Sequence, residues 1–368
     1  HWLRYVMLFA ALFVRDEEAQ EAEARQARLL NAASGPIREY MALVQTRLVP
    51  AADAEGEASP SWRSRSPRPP ELAPCIEQLI SFGVTVHAAQ QVLPRADLQT
   101  AGDEVIGRIA QGMAASCFAT CRRCLRGVID GLREGCASGD GGAAAGKLIQ
   151  KATAELTECV DNCLDELRRL LRVAEGDRPG IPPNFAVQVA EHAEAETVGF
   201  FRVMGEELAA LAAEQNGGGA EGALRSLCAA RLCASHEDML GEAGRMLLEY
   251  FPDGDGLEEL GALQAQMAGH STDCLSHFVT RTAESLLHPG GEAAGIAAAF
   301  GPDCTELWDA PSGSAPTAVR PAVRDTVATV SSLAASVARI VDAPVVEGLA
   351  ALTAVELRET ATLQALAE

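Results

Sequence analysis

Apolar residues along this chain recur at steps of three, four and seven, the spacing that lines one face of an α-helix. The longest row is Leu98, Val105, Ile109, Met113, Cys117, Cys121, Cys124, Val128 and Leu132. It predicts one helix from Asp97 to Arg133, ~55 Å long at ~1.5 Å per residue. The same period returns in Leu156, Cys159, Val160, Cys163, Leu167 and Leu170, and again in Leu227, Cys228, Leu232, Met239, Met246 and Tyr250. Further rows are Leu260, Leu263, Met267, Cys274 and Phe278, then Val323, Val327, Val330, Leu333, Val337 and Ile340. No run alternates with period two for long enough to predict a strand.

The rows are separated by helix-breaking chemistry. A Ser/Arg/Pro stretch occupies 51–71, a Gly/Ala stretch Ser138 to Gly146, and a Pro-rich stretch Gly176 to Asn184. Gln215 to Gly222 contains three consecutive glycines, Phe251 to Gly256 reads as a tight interhelix turn, and Pro289 to Pro316 is the longest weakly patterned connection. The expected fold is therefore all-α, about ten helices in consecutive antiparallel bundles that form an elongated rod. The expected organisation is a helical segment over 1–50, a linker over 51–71, one helical bundle over 72–214 and a C-terminal bundle over 215–368.

Composition supports helix and narrows the function. Aromatics make up 4% of the 368 residues while apolar residues make up 48%, which suits helices with a sizeable core and disfavours sheets. The excess of 51 Asp+Glu over 30 Lys+Arg gives a net charge of −21, which argues against nucleic acid as a partner, because phosphate binding needs clustered cations. The basic cluster Arg63, Arg65 and Arg68 lies among Ser and Pro and reads as solvated linker. Trp2 to Val14 is apolar but carries Arg4 and falls short of the roughly 20 residues of a bilayer span. It is read as a core helix. A first residue of His rather than Met predicts a fragment.

Four constellations offer chemistry. Cys117, Cys121 and Cys124 have a spacing that can hold an iron–sulfur cluster, but they sit inside the longest helical row, where thiols pack as small hydrophobes. Cys159 and Cys163 repeat the arrangement on the next helix, so the two sets can face each other. His270, Cys274 and His277 share a helix face, with Cys304 or His288 as fourth ligand for zinc, yet no second close pair completes the set. Asp253, Asp255 and Glu258 give an incomplete calcium loop. Glu158, Asp161, Asp165 and Glu166 resemble a magnesium-binding acidic motif, but Arg168 and Arg169 follow at pairing distance and make a charged solvent face the better reading. No catalytic, cofactor or metal residue is assigned, and the chain is read as a non-enzyme.

A longer ordered pattern runs through the last third. It comprises Leu224-Arg225-Ser226-Leu227-Cys228, a helix closing at Leu247-Leu248-Glu249-Tyr250-Phe251, Ser276-His277-Phe278 in the following helix, then Leu307-Trp308-Asp309 and Pro316-Thr317-Ala318-Val319-Arg320 opening another. This pattern resembles the carboxy-terminal region of the exocyst complex component 2 family, and a weaker likeness reaches back through Cys163-Leu164-Asp165-Glu166-Leu167, covering 72–368. The resemblance implies a non-catalytic helical-rod subunit of the exocyst, cytoplasmic and peripheral at the plasma membrane or at secretory vesicles. Its partners would be other exocyst subunits, with membrane association indirect, through the complex. The family's amino-terminal GTPase-binding domain is not in this sequence, so no GTPase contact carries over. The alternatives are another helical scaffold, such as a Golgi or endosomal tether, and a metal-dependent helical enzyme using Cys117, Cys121 and Cys124. For partner contacts the candidates are Trp2, Tyr5, Val6, Phe9 and Phe13 on the first helix and Leu349, Leu352, Val355 and Leu363 on the last; equally, these residues can complete their own bundle.

Overall fold

A computed structural model describes residues 35, 37, 39–44, 71–92, 96–135, 141–175, 184–214, 220–251, 254–287, 321–341 and 345–356. These residues form an all-α fold, with nine helices and no strand. Helix α1 takes in residues 35, 37 and 39–44; α2 is Ala73–Val92, α3 Ala96–Gly135, α4 Gly141–Glu175 and α5 Phe185–Ala213. Then come α6 Ala220–Tyr250, α7 Asp255–Leu287, α8 Pro321–Val337 and α9, residues 345–356. No described helix is long and apolar enough to cross a membrane.

The predicted rows form the buried faces. In α4, Leu156, Cys159, Val160, Cys163, Leu167 and Leu170 are all buried, as are Leu227, Cys228, Leu232, Met239 and Met246 in α6. Helix α3 goes further, because Ser116, Phe118 and Thr120 are buried together with Cys117 and Cys121. A helix buried around most of its circumference has neighbours on several sides. The row of α8 behaves differently, since Val330 is exposed whereas Val337 is covered.

Two predicted breaks are shorter than expected. Helix α4 begins at Gly141, inside the Gly/Ala stretch, and α6 at Ala220, directly after the three glycines. Each helical glycine costs only about 1 kcal/mol against alanine, and intervening alanines favour helix. Packing of Ile149 and beyond in α4, and of Ala223 and beyond in α6, is enough to carry the helix back into these segments.

The chain groups into two compact units. Unit 1 comprises His1–Arg123, Glu158–Phe201 and Glu242–Leu260; unit 2 comprises Cys124–Thr157, Arg202–Gly241 and Gly261–Glu368. Each of α3 to α7 contributes one stretch to each unit.

In unit 1, α3 and α4 run antiparallel, with Cys121 beside Cys159 and Cys163 beside the Cys117 carbonyl. Helix α5 runs parallel to α3, where Asn184 reaches Asp103 at 3.4 Å and Arg122 reaches Glu196 at 3.2 Å. Close approach of α3 and α5 depends on Gly107, because a Cβ there would overlap the His192 ring. The core centres on three rings. Phe118 stacks on Phe200 with centroids 4.2 Å apart, and Phe201 meets Phe200 edge-on at 5.0 Å. Carboxylates from neighbouring helices cap two N-termini: Leu72 N–H donates to Glu166 just before α2, and Gly256 N–H donates to Glu194 in the first turn of α7. In the second case the carboxylate lies so close that a Cβ on Gly254 or Gly256 would collide with it. The glycines of the predicted Phe251–Gly256 turn thus serve the cap.

In unit 2, α3 and α5 again lie parallel, through Arg126 and Glu207 at 3.2 Å and through Arg133 and Glu214. Helices α6 and α7 run antiparallel, with Ser226 beside His277 and Ser271 donating to the Ala230 carbonyl. Small residues let their backbones approach: Ala229, Ala230 and Cys274 form a buried cluster, with Leu211, Ala212 and Leu275 packed against it.

A buried thiol cluster as candidate functional site

Helical period alone places Cys117 and Cys121 one turn apart on α3, and Cys159 and Cys163 one turn apart on α4. Antiparallel packing in unit 1 then brings the two faces together. The Sγ atoms of Cys121, Cys159 and Cys163 all lie within 4.8 Å of one another. Cys121 is 3.3 Å from Cys159 and 3.3 Å from Cys163, and the Cys163 thiol donates to the Cys117 carbonyl at 3.2 Å. All four cysteines are buried and none is in a disulfide.

The hydrogen bonds divide the roles of these thiols. Cys159 is held below the ordinary thiol range because Cys121, and after it Cys163, can donate S–H to its thiolate, with the Arg123 guanidinium adding a smaller attraction. Cys163 is pushed upward, first by its side-chain hydrogen bond with the Cys117 thiol and then by those with Cys121 and Cys159. Of the outlying thiols, half-buried Cys75 is raised by burial and then by the neighbouring Cys117, and burial followed by Cys274 pushes Cys233 up to about 12.

The gathered set differs from the spacing considered in the sequence. Cys117, Cys121 and Cys124 share a row, but only Cys121 enters the cluster, whose other members come from α4. Cys124 is half-buried further along α3. His270, Cys274 and His277 each have different surroundings. Cys274 belongs to the alanine cluster of unit 2, while His270 contacts Gln266 on the outside of α7. His277 is fully engaged, since Arg281 donates to Nε2 at 3.4 Å, which leaves Nδ1 as the N–H donor to Ser226 Oγ at 2.8 Å. Asp255 and Glu258 are exposed in the first turn of α7, and Asp253 lies outside the described residues.

The acidic stretch of α4 is a network of ion pairs. Arg168 bridges Asp165 at 2.9 Å and Glu242 of α6 at 2.5 Å, Arg169 meets Glu166, and Arg245 also holds Glu242. Arg245 and then Arg168 hold the Glu242 carboxyl below the ordinary 4.5, and Arg133 does the same for Glu214. Depressed carboxyls bind fewer protons folded than unfolded, so stability rises with pH. Their contribution is complete above about 4.5 and is lost as pH falls through the lowered values. Asp161 opposes this, because burial, followed by Glu242, raises it. The double variant Arg133→Met, Arg245→Met is expected to flatten the loss of stability between roughly pH 5 and pH 3, read as urea midpoints across that range. An unchanged slope would show that the pairs carry no linkage.

Comparison with protein-family profiles, with curated proteins and with solved structures finds no match to this chain. Of the proposed contact residues, Leu349 is buried on α9, whereas Leu352 and Val355 are exposed there. Trp2, Tyr5, Val6, Phe9, Phe13 and Leu363 lie outside the described residues. The sequence rows contain neither Phe118 nor any residue of α5, and so miss the aromatic cluster beside the thiols. The signal available was the adjacent pair Phe200-Phe201 in a chain poor in aromatics.

Proposed function

We propose that the chain is a non-catalytic helical scaffold, a subunit of an exocyst-type complex that tethers secretory vesicles to the plasma membrane. The observation that carries this reading is the fit between the ordered pattern of the last third and the helix boundaries. Leu224 to Cys228 lies in the opening turns of α6, Leu247 to Phe251 spans its end, and Ser276 to Phe278 falls inside α7 with Phe278 buried. The segments of the pattern thus fall at helix starts, ends and interiors in the order that the resemblance implies, which supports this reading. Exposed Leu352 and Val355, with Val345 on the same helix, offer an apolar row of the kind that packs against a partner helix. On this reading the body is extended, cytoplasmic and held at the membrane only through its complex.

The test is affinity capture of the full-length product from its own cells at low salt, followed by identification of what comes with it. Co-purifying exocyst subunits are the expected result. Recovery of Golgi or endosomal tether subunits instead, or of no helical-rod subunit at all, overturns the proposal.

A further inference from the structure

We infer that Cys121, Cys159 and Cys163 are ligands of one structural zinc ion inside unit 1, with Cys117 completing the tetrahedron. Zinc bound by thiolates at about 2.3 Å places neighbouring sulfurs about 3.8 Å apart. The separations here, 3.3 Å for two pairs and within 4.8 Å for all three, bracket that edge length. The ligands also arise from the arrangement that helices use to bind one ion, residues at i and i+4 on a single face. Here two such faces meet across an antiparallel pair, so three sulfurs converge from two helices, with Cys117 one turn away. Cys117 is buried one turn before Cys121, and its carbonyl already touches Cys163. Rotation about its χ1 is the movement this site requires of Cys117.

Apolar packing alone does not account for the convergence. A buried thiol can fill space as a small hydrophobe, and Cys274 does so among alanines in unit 2. Three thiols in mutual contact gain little from one another, because S–H is a weak donor. Their value rises once a cation replaces the protons. Zinc enters as Zn²⁺, the four thiols give up four protons to solvent, and no electron is transferred. The remaining double negative charge is offset in part by Arg123, whose guanidinium already acts on Cys159. The site is closed, without an open coordination position, which makes its role structural. It pins α3 to α4 and stands independently of the tethering proposal, since failure to recover partners leaves the metal content unaltered.

The experiment is metal analysis of the full chain, expressed in zinc-supplemented medium and purified without chelator. About one zinc per chain is expected, falling at least fivefold in Cys121→Ser and in Cys159→Ser, and unchanged in Cys233→Ser. Because a serine variant can fail to fold, cobalt is also exchanged into the wild-type chain, where thiolate-to-metal charge-transfer absorption is expected. A wild-type protein without zinc overturns the inference, whether alkylation after unfolding finds the four thiols free or finds Cys121 joined to Cys159 or Cys163. Retention of zinc in both cluster variants overturns it as well.

Discussion

Phe118→Ala is expected to lower stability by about 3–5 kcal/mol. Phe118 is fully buried, lies nearly flat on Phe200 with an interplanar angle of 12°, and meets Phe201 edge-on at 6.3 Å. Truncation removes the transfer free energy of the ring and leaves a hole that three helices would have to close. Stacking contributes a further ~1 kcal/mol that area burial does not count. The damage extends to a charge. Arg122 sits 5.8 Å from the Phe200 centroid and is tied to Glu196, so a ring that tilts into the void disturbs an ion pair at the same time. Urea unfolding followed by circular dichroism reads the loss, and Phe118→Leu should recover more than half of it. A loss below about 1 kcal/mol for the alanine variant would mean that the site collapses without strain.

Glu166→Ala is expected to cost about 2–3 kcal/mol, an unusual amount for a glutamate on a helix of ion pairs. The reason is its second partner. Arg169 is largely exposed and its pairing is worth little, but the other oxygen accepts the Leu72 N–H at 2.9 Å, and Leu72 is fully buried. Without the carboxylate that N–H keeps its burial and loses its acceptor, which carries the full desolvation penalty at the start of α2. Glu166→Gln retains an acceptor and should lose about half as much, whereas Arg169→Ala should lie within about 0.5 kcal/mol of wild type. Thermal unfolding of the three variants separates these outcomes. Equal losses for Glu166→Ala and Arg169→Ala would assign the effect to the ion pair and remove the cap from the account.

Helical period made most of the fold legible. The rows through Ile109 and Met113, through Leu156 to Leu170 and through Leu227 to Met246 all mark buried faces, because large apolar residues at a 3.6 period have one physical outcome. Helix α5 escaped because two of its inward positions are Ala193 and Thr197, which interrupt the row between Val189 and Phe200. The glycine-based breaks at 141 and 220 were misplaced because local propensity is overridden once neighbouring turns are packed. The thiol cluster was half legible. Spacing on each helix showed two faces of cysteine, but the register of α3 against α4, a tertiary quantity, decides that Cys121 joins Cys159 and Cys163 rather than Cys124. The caps of Glu166 and Glu194 join residues 94 and 62 positions apart, beyond the reach of any local rule.

The allotment of each long helix between the two units bears on how the chain can be dissected. Its backbone passes from one unit to the other at Arg123, Thr157, Phe201, Gly241 and Leu260, each time within a helix and never in a connecting loop. No terminal truncation can isolate either unit whole, since each unit is assembled from three stretches interleaved with those of the other. Limited digestion is expected to leave these five crossings uncut, because each peptide bond there is held inside a hydrogen-bonded helix.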